Sequence, residues 1–408
     1  MSEIPTMSTA SSDIPAFVAG KTLPKSFHAC PNREATLLSL CHAKPADVDR
    51  LLSFTPAEWR KLLPWLDASG LSLYLAHQLD ELNLREALPD VVKQRMQQDL
   101  ADNQARTQGL LRESVEIQTE FKRANICYAV LRGFSLCLSS VSAPGLRHQL
   151  NVEYLVDEGS ASKARELLEQ AGYRLCGIND RTWEFKKNET KRFSAKNMYK
   201  DGFGQIIELH IDAEVPGRES ALSRREYREI EGMLMPVLAP ADQFLMQGMH
   251  VFQNVCSSFL RTSHLLEFYR HMSARSNDPA FWSDVRSLAE GDPRTVLGLG
   301  VVLNLIESVM DGEIPAKLVT WTMLRLPEPA QCWVSMYGPH CVYGTPPGTK
   351  LYRLLQREME SAGVSLARPA GEAIQATPFL RLRFHVVEGL RYAWASYRWG
   401  RFRNELSA

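Results

Sequence analysis

Three polar residues on two predicted strands carry groups that suit metal-dependent chemistry. Asn151 and Glu153 are separated by one residue in a predicted strand, so their side chains lie on the same face. Glu208 interrupts a later apolar strand, where burying a charged side chain costs free energy unless it has a partner. Oxygen ligands suit hard cations, and two Mg²⁺ ions held by such a set clamp the attacking and leaving oxygens in phosphoryl transfer. We therefore expect Asn151, Glu153 and Glu208 to be catalytic residues that hold Mg²⁺ or Mn²⁺.

A turn after the first predicted strand could bind the phosphates of such a substrate. Arg132 and Gly133 follow the apolar run Ile126 to Leu131 and precede a short helix. Backbone N–H groups at the start of a helix bind anions, and an arginine grips a phosphate through two N–H groups. His210 lies two residues after Glu208 and shares its face, so it could contact substrate or serve only as a structural histidine.

These residues belong to a small α/β unit inside a helical chain. The patterns predict strands over 126–131, 151–156, 182–186 and 205–210, with a helix over 160–171 that ends at Gly172. Helical patterns cover 33–123 and resume from Ser223 to about Val319. The expected fold class is α+β, with a small mixed sheet embedded between N- and C-terminal helical regions.

The same patterns divide the chain into five regions. They are a disordered tail (1–32), an N-terminal helical region (33–125), the α/β core (126–215), a C-terminal helical region (223–320) and an irregular segment (321–408) that ends in a basic, aromatic helix.

Composition excludes several classes of protein. The 408 residues carry 47 Lys and Arg against 47 Asp and Glu, which argues against a polybasic nucleic-acid binder. The hydrophobic fraction of 45% excludes disorder throughout. We expect no membrane span, because the longest apolar run, Val296 to Ile306, is too short and predicts a buried core helix. Scattered single cysteines, such as Cys127, Cys137 and Cys176, predict reduced core residues and a cytoplasmic protein without a secretory signal.

Several segments, in this order, resemble one family. The turn Val130 to Ser135 resembles the "L-K-G" turn of the uncharacterised bacterial nucleotidyltransferases of the DNA polymerase β-like superfamily, and Leu146 to Val156 is similar to their "L-R-x-x-x-D-I-D-L-L-V" segment. Ile207 to His210 resembles their "hydrophobic-[DE]-L-H" strand. The helix that ends at Tyr173, the downstream His250 and the segment Arg261 to Glu267 also fit. The resemblance spans about residues 33 to 320.

The resemblance implies nucleotidyl transfer from a nucleoside triphosphate to an unknown acceptor, with Mg²⁺ or Mn²⁺. Nucleotide-binding residues would be Arg132, Gly133, Ser135, Arg147 and His210, although Arg147 could equally be a surface residue of the loop. The family's two Asp residues correspond to Asn151 and Glu153, and its Lys corresponds to Arg132. Because one anionic ligand is lost and another displaced, metal binding should weaken. Two interpretations follow: a working transferase with an altered ligand set, or a degraded copy that binds nucleotide or regulates without chemistry, on the same scaffold.

Two basic, aromatic segments could bind acidic partners. Residues 181–200 alternate Lys and Arg with aromatic residues and could hold a nucleic acid, or form a solvated hairpin. Residues 379–403 contain six arginines with interleaved aromatics and could contact RNA or an anionic membrane, or dock on the helical core. A helical adaptor that uses this second segment is a third hypothesis. Serine-hydrolase, zinc-protease and P-loop motifs are absent from the sequence.

Overall fold

A computed structural model describes residues 30–137, 139–187, 198–200, 205–212, 219–345, 348–366 and 378–407. The predicted N-terminal tail lies outside these residues, except for its last three. The fold is α+β, and helices precede and follow the strands of one mixed sheet in the sequence. The division into five regions stays a prediction.

The described part of the chain contains one seven-stranded sheet. Its strands are β1 (Tyr128–Leu131), β2 (Asn151–Asp157), β3 (Arg174–Asn179), β4 (Thr182–Lys187), β5 (Gln205–Asp212), β6 (Glu226–Ile230) and β7 (Met233–Val237). Their order is β3-β4-β5-β2-β1-β7-β6. The pairs β2–β5 and β1–β7 are parallel and the others antiparallel. The four strands predicted from the apolar runs are confirmed.

Three strands were not predicted, and the helical pattern expected from Ser223 is wrong over its first seventeen residues, because the first helix there begins at Pro240. β6 and β7 form a hairpin in which Ile230 pairs with Met233, so Glu231 and Gly232 make its turn. Both turn residues have positive φ, as two-residue hairpin turns require. Glutamate rarely adopts that conformation, so the sequence carries no turn signal there. β3 is mostly exposed, and its residues show no apolar alternation.

Fourteen α-helices lie among the described residues. They are α1 (Pro31–His42), α2 (Pro45–Leu52), α3 (Pro56–Ser69), α4 (Ser72–Glu81), α5 (Asp90–Arg123), α6 (Ala161–Gln170), α7 (Pro240–Val255), α8 (Thr262–Ala274), α9 (Pro279–Ala289), α10 (Pro293–Met310), α11 (Ala316–Val319), α12 (Glu328–Val342), α13 (Tyr352–Ser361) and α14 (Pro378–Ser407). The expectation of an irregular segment from 321 is wrong over α12. That helix contains Pro339 in its last turn, which obscured its pattern.

Of the three apolar cores among the described residues, α5 contributes to the two largest. Its first half packs through Val92 and Met96 into a large core made by the other helices. Its second half, with Leu110 and Phe121, covers one face of the sheet together with α6. The long helix thus fixes the sheet against the helical body.

The central helix α10 is the one described helix that is long and apolar enough to cross a membrane. Most of it, 61%, is buried inside the protein, as the core-helix prediction requires. None of the eight cysteines forms a disulfide. Cys137 is buried and Cys127 half-buried, but the core placement expected for Cys176 is wrong, because it is exposed on β3.

Candidate active site

The parallel pair β2–β5 brings the predicted carboxylates together. Glu153 and Glu208 are direct partners in its register. Asn151 lies two residues before Glu153, and its Nδ2 donates to Glu208 Oε1 at 2.6 Å. His210 shares the face of Glu208, with its Nε2 3.1 Å from Glu153 Oε2 and 3.5 Å from Glu208 Oε2. The predicted side chains therefore lie together on one face of the neighbouring strands β2 and β5.

Arg132 closes this cluster from the end of β1. Its backbone has φ +37°, which turns the chain sharply after Leu131. Its Nε donates to Glu153 Oε2 at 2.6 Å, and its Nη2 donates to the same oxygen. The two side chains are only 14% and 10% exposed, so water screens this ion pair weakly. The Nη2 atom also lies 4.0 Å from Glu208 Oε2.

Two histidines support the ion pair from either side. Thr182 Oγ1 lies 3.1 Å from His210 Nδ1 and orients that ring toward the carboxylates. On the other side, Arg132 Nη1 bonds His250 Nδ1 from α7. The ring of His264, from α8, packs 4.9 Å from the His250 ring. The site is therefore built by four strands, β1, β2, β4 and β5, and two helices, α7 and α8.

The charges of the site balance when His210 is protonated. Burial alone would raise the pKa of Glu153, but Arg132 and His210 hold it well below its usual value. Burial alone would lower the pKa of His210, but its bonds to Glu153 and Glu208 raise it. Burial and the nearby Arg132 hold the pKa of His250 well below its usual value, so its neutral ring can accept from Arg132. With His210 protonated, two carboxylates face two cations.

Gly133 and Ser135 lie beside the cluster, and both contact glutamine side chains of the protein itself. A Cβ on Gly133, whose φ is +47°, would lie 2.5 to 2.6 Å from three atoms of the Gln149 side chain. Gln149 in turn donates to the backbone oxygen of Asn151 at 2.7 Å. Ser135 is buried, and Gln243 Nε2 lies 3.4 Å from its Oγ and bonds its backbone oxygen. Only glycine fits this turn, because it must both take positive φ and admit Gln149.

Arg147 forms a second largely buried ion pair. Its Nε is 3.2 Å from both carboxylate oxygens of Glu267 on α8. Tyr74 Oη donates to Glu267 Oε1 at 2.9 Å. Burial by itself would lower the pKa of Arg147, but Glu267 raises it, so the guanidinium stays charged. As placed, Arg147 fastens the loop before β2 to the helical body.

The sequence of residues 55–300, more than half of the chain, matches the family described as uncharacterised nucleotidyltransferase. The chain belongs to this uncharacterised nucleotidyltransferase family. A crystal structure of an antigenic nucleotidyltransferase-like protein from Paracoccidioides brasiliensis is similar over 51% of this chain and 94% of that one, at 15% identity and a TM-score of 0.30. No curated protein matches the chain significantly. The assignment therefore rests on the family match.

Nucleotidyl transfer generally uses a nucleoside triphosphate and a divalent metal, so the donor set must be tested for a metal. Glu153, Glu208 and His210 offer three ligand atoms within 4.8 Å of one another, which is close enough to share one ion. Those atoms already accept from Arg132 and Asn151 or contact each other. A divalent ion would also stand beside a buried guanidinium. As arranged here, Arg132 would have to leave Glu153 before a divalent cation could occupy the cluster.

Sequence reasoning missed several residues that this family member uses to build the site. Thr182, Gln243 and Tyr74 carried no motif signal, since each acts through residues far away in the sequence. His250 and Glu267 were noted only as positions within the resemblance. Their contacts with Arg132 and Arg147 join segments 118 and 120 residues apart. A one-sequence pattern contains no information about such pairs.

The predicted basic, aromatic strip is only partly described, because Lys191, Arg192, Phe193 and Lys196 lie outside the described residues. Of the described aromatics, Phe185 and Tyr199 are buried, and Tyr199 Oη donates to Asp67 Oδ1 at 3.1 Å. Lys187 Nζ lies 3.4 Å from Glu113 Oε1. These side chains serve the protein interior, so they offer no stacking surface for bases.

Proposed function

We propose that this family member binds a nucleoside triphosphate without transferring it, as a nucleotide-binding regulatory protein. The observation that carries the proposal is the Arg132–Glu153 pair, completed by His210 and by the Asn151 bond to Glu208. In this arrangement a side-chain cation neutralises the carboxylates, which removes the electrostatic demand for a metal ion. The Asn151 amide presents a donor where a metal ligand would present an oxygen.

Arg132 is also the residue proposed to bind the triphosphate. A guanidinium forms bidentate hydrogen bonds with carboxylate and phosphate alike, so a phosphate can compete with Glu153 for it. His210 would remain beside Glu153 and compensate its charge. Nucleotide binding would thus exchange one ion pair for another and shift the turn that carries Gly133. A cytoplasmic location, predicted from the cysteines, is part of this proposal.

Calorimetric titration of the full chain with ATP, GTP, CTP and UTP, each in EDTA or in Mn²⁺, tests the proposal. We expect one triphosphate to bind with the same affinity in both conditions. The combined variant R132K/N151D/E153D restores the family's residues, and we expect its binding to require Mn²⁺. If wild-type binding needs metal and is lost in E153Q, the non-transferring assignment is wrong. If no triphosphate binds, the nucleotide part of the proposal is wrong.

A working transferase is the second candidate, favoured by the convergence of the three ligand atoms within 4.8 Å. It requires Arg132 to leave Glu153 when substrate enters. Release of pyrophosphate from one triphosphate, abolished by both E153Q and E208Q, would establish it. The matched control is R224Q, since Arg224 forms a similar ion pair with Asp242 outside the site.

A further inference from the structure

The C-terminal helix α14 docks on the protein through one face. Ala395 and Trp399 are buried, and Trp399 Nε1 donates to Glu358 Oε1 on α13 at 2.9 Å. Arg357 Nη1 donates to Ser396 Oγ at 3.2 Å, and its guanidinium lies 5.6 Å from the Tyr392 ring. These contacts confirm that the helix packs on the chain's own helical core and fix which face points outward.

The opposite face of α14 carries a second apolar stripe that faces solvent. Its members follow one another at intervals of four, four, four and three residues, so they share one side of the helix. All are between 51% and 70% exposed: Leu382, Val386, Leu390, Trp394 and Tyr397. At about 1.5 Å per residue the stripe is roughly 22 Å long. A continuous exposed apolar surface of this kind marks an interaction site.

Arginines border this stripe. Arg391 follows Leu390, Arg398 places its guanidinium 4.6 Å from the Trp394 ring, and Arg401 lies one turn beyond Tyr397. The one acidic residue between Leu382 and Arg403 is Glu388, which is buried and accepts from Arg391 at 2.7 Å. The border is therefore positive, and the stripe itself carries no charge.

We propose that this outward face of α14 binds the surface of an anionic lipid bilayer. Apolar and aromatic side chains would enter the boundary between headgroups and acyl chains while the bordering arginines contact lipid phosphates. The helix lies flat on the protein body, which suits attachment parallel to a membrane. A second copy is disfavoured because its arginine border would meet this one, and RNA offers no apolar surface for leucine and valine.

Vesicle sedimentation of the full-length protein tests this surface. We expect binding to vesicles of 30% phosphatidylglycerol in phosphatidylcholine, at least tenfold weaker binding to pure phosphatidylcholine, and loss of binding at high salt. The variant V386S/L390S/Y397S should bind at least tenfold more weakly, and R398Q/R401Q should lose most of the preference for anionic lipid. The matched control is Y227S/L234S, which removes two exposed apolar side chains from the β6–β7 hairpin.

Several results would overturn the proposal. One is the absence of binding to anionic vesicles, and another is equal binding by the stripe variant with an unchanged melting temperature. Sedimentation equilibrium provides a further check. A dimer that the stripe variant abolishes would assign the surface to a second copy. RNA binding that R398Q/R401Q abolishes and the stripe variant preserves would assign it to nucleic acid.

Discussion

Replacing Arg132 by glutamine tests the role of the buried ion pair most sharply. Glutamine keeps the polarity and removes the charge, so Glu153 is left buried with His210 as its only cationic neighbour among the described contacts. Removing one partner of a buried pair costs about 3 to 5 kcal/mol. With an unfolding entropy of about 2.1 cal/mol/K per residue over 408 residues, R132Q should melt roughly 3 to 6 °C below wild type.

The same variant should gain a response to metal. Once the guanidinium is gone, Glu153, Glu208 and His210 still converge, and a divalent ion can compensate their charge. Mn²⁺ at 100 times its dissociation constant would return about 2.7 kcal/mol, or roughly 3 °C. Differential scanning calorimetry of wild type, R132Q and R224Q, with Mn²⁺ or EDTA, measures both effects.

The R224Q control separates the loss of a buried arginine charge from the formation of a metal site. Arg224 pairs with Asp242 at 2.7 and 3.0 Å, so R224Q should also lower the melting temperature but should not respond to Mn²⁺. The reasoning is refuted if Mn²⁺ stabilises wild type as much as R132Q. It is equally refuted if R132Q melts with wild type, because Arg132 would then not compensate a buried charge.

Three further predictions concern stability. Burial lowers the pKa of His271 to about 3, so the unfolded chain binds the proton more tightly, and the stability present above pH 6.5 is lost as the pH falls toward 3. In urea titrations H271Q should therefore lose about 2 kcal/mol less stability than wild type between pH 7.5 and 5, and equal losses would contradict this. G133A should lower the melting temperature because its Cβ meets Gln149, and Q149A should restore part of the loss; no loss would contradict the close contact. W399F removes the bond to Glu358 and should cost about 1 to 3 kcal/mol and speed proteolysis of α14, while unchanged cleavage would count against docking.

Local strand geometry was enough to predict which candidate side chains share one face. Alternation along a strand put Asn151 and Glu153 on one face, and the structure places Glu208 and His210 beside them. That step needs only local geometry. The roles of these residues stay predictions.

The state of the site depends on information that no local pattern holds. Arg132 reaches Glu153 because β1 and β2 are antiparallel in one register and because Arg132 adopts positive φ. Neither feature follows from an Arg-Gly pair. The β6–β7 hairpin escaped prediction for a related reason, since Glu231 in its turn also has positive φ. Contacts between distant residues and rare backbone conformations therefore determined the features that residue types alone did not predict.

The central claim is that Arg132, and not a metal ion, compensates the Glu153–Glu208 pair. Equilibrium dialysis of the wild-type protein against millimolar Mn²⁺, with bound metal counted per chain, tests this claim most directly. If Arg132 compensates this charge, wild type should bind no stoichiometric Mn²⁺ and R132Q should bind about one ion per chain. One or two ions bound to wild type, and lost in E153Q, would contradict it.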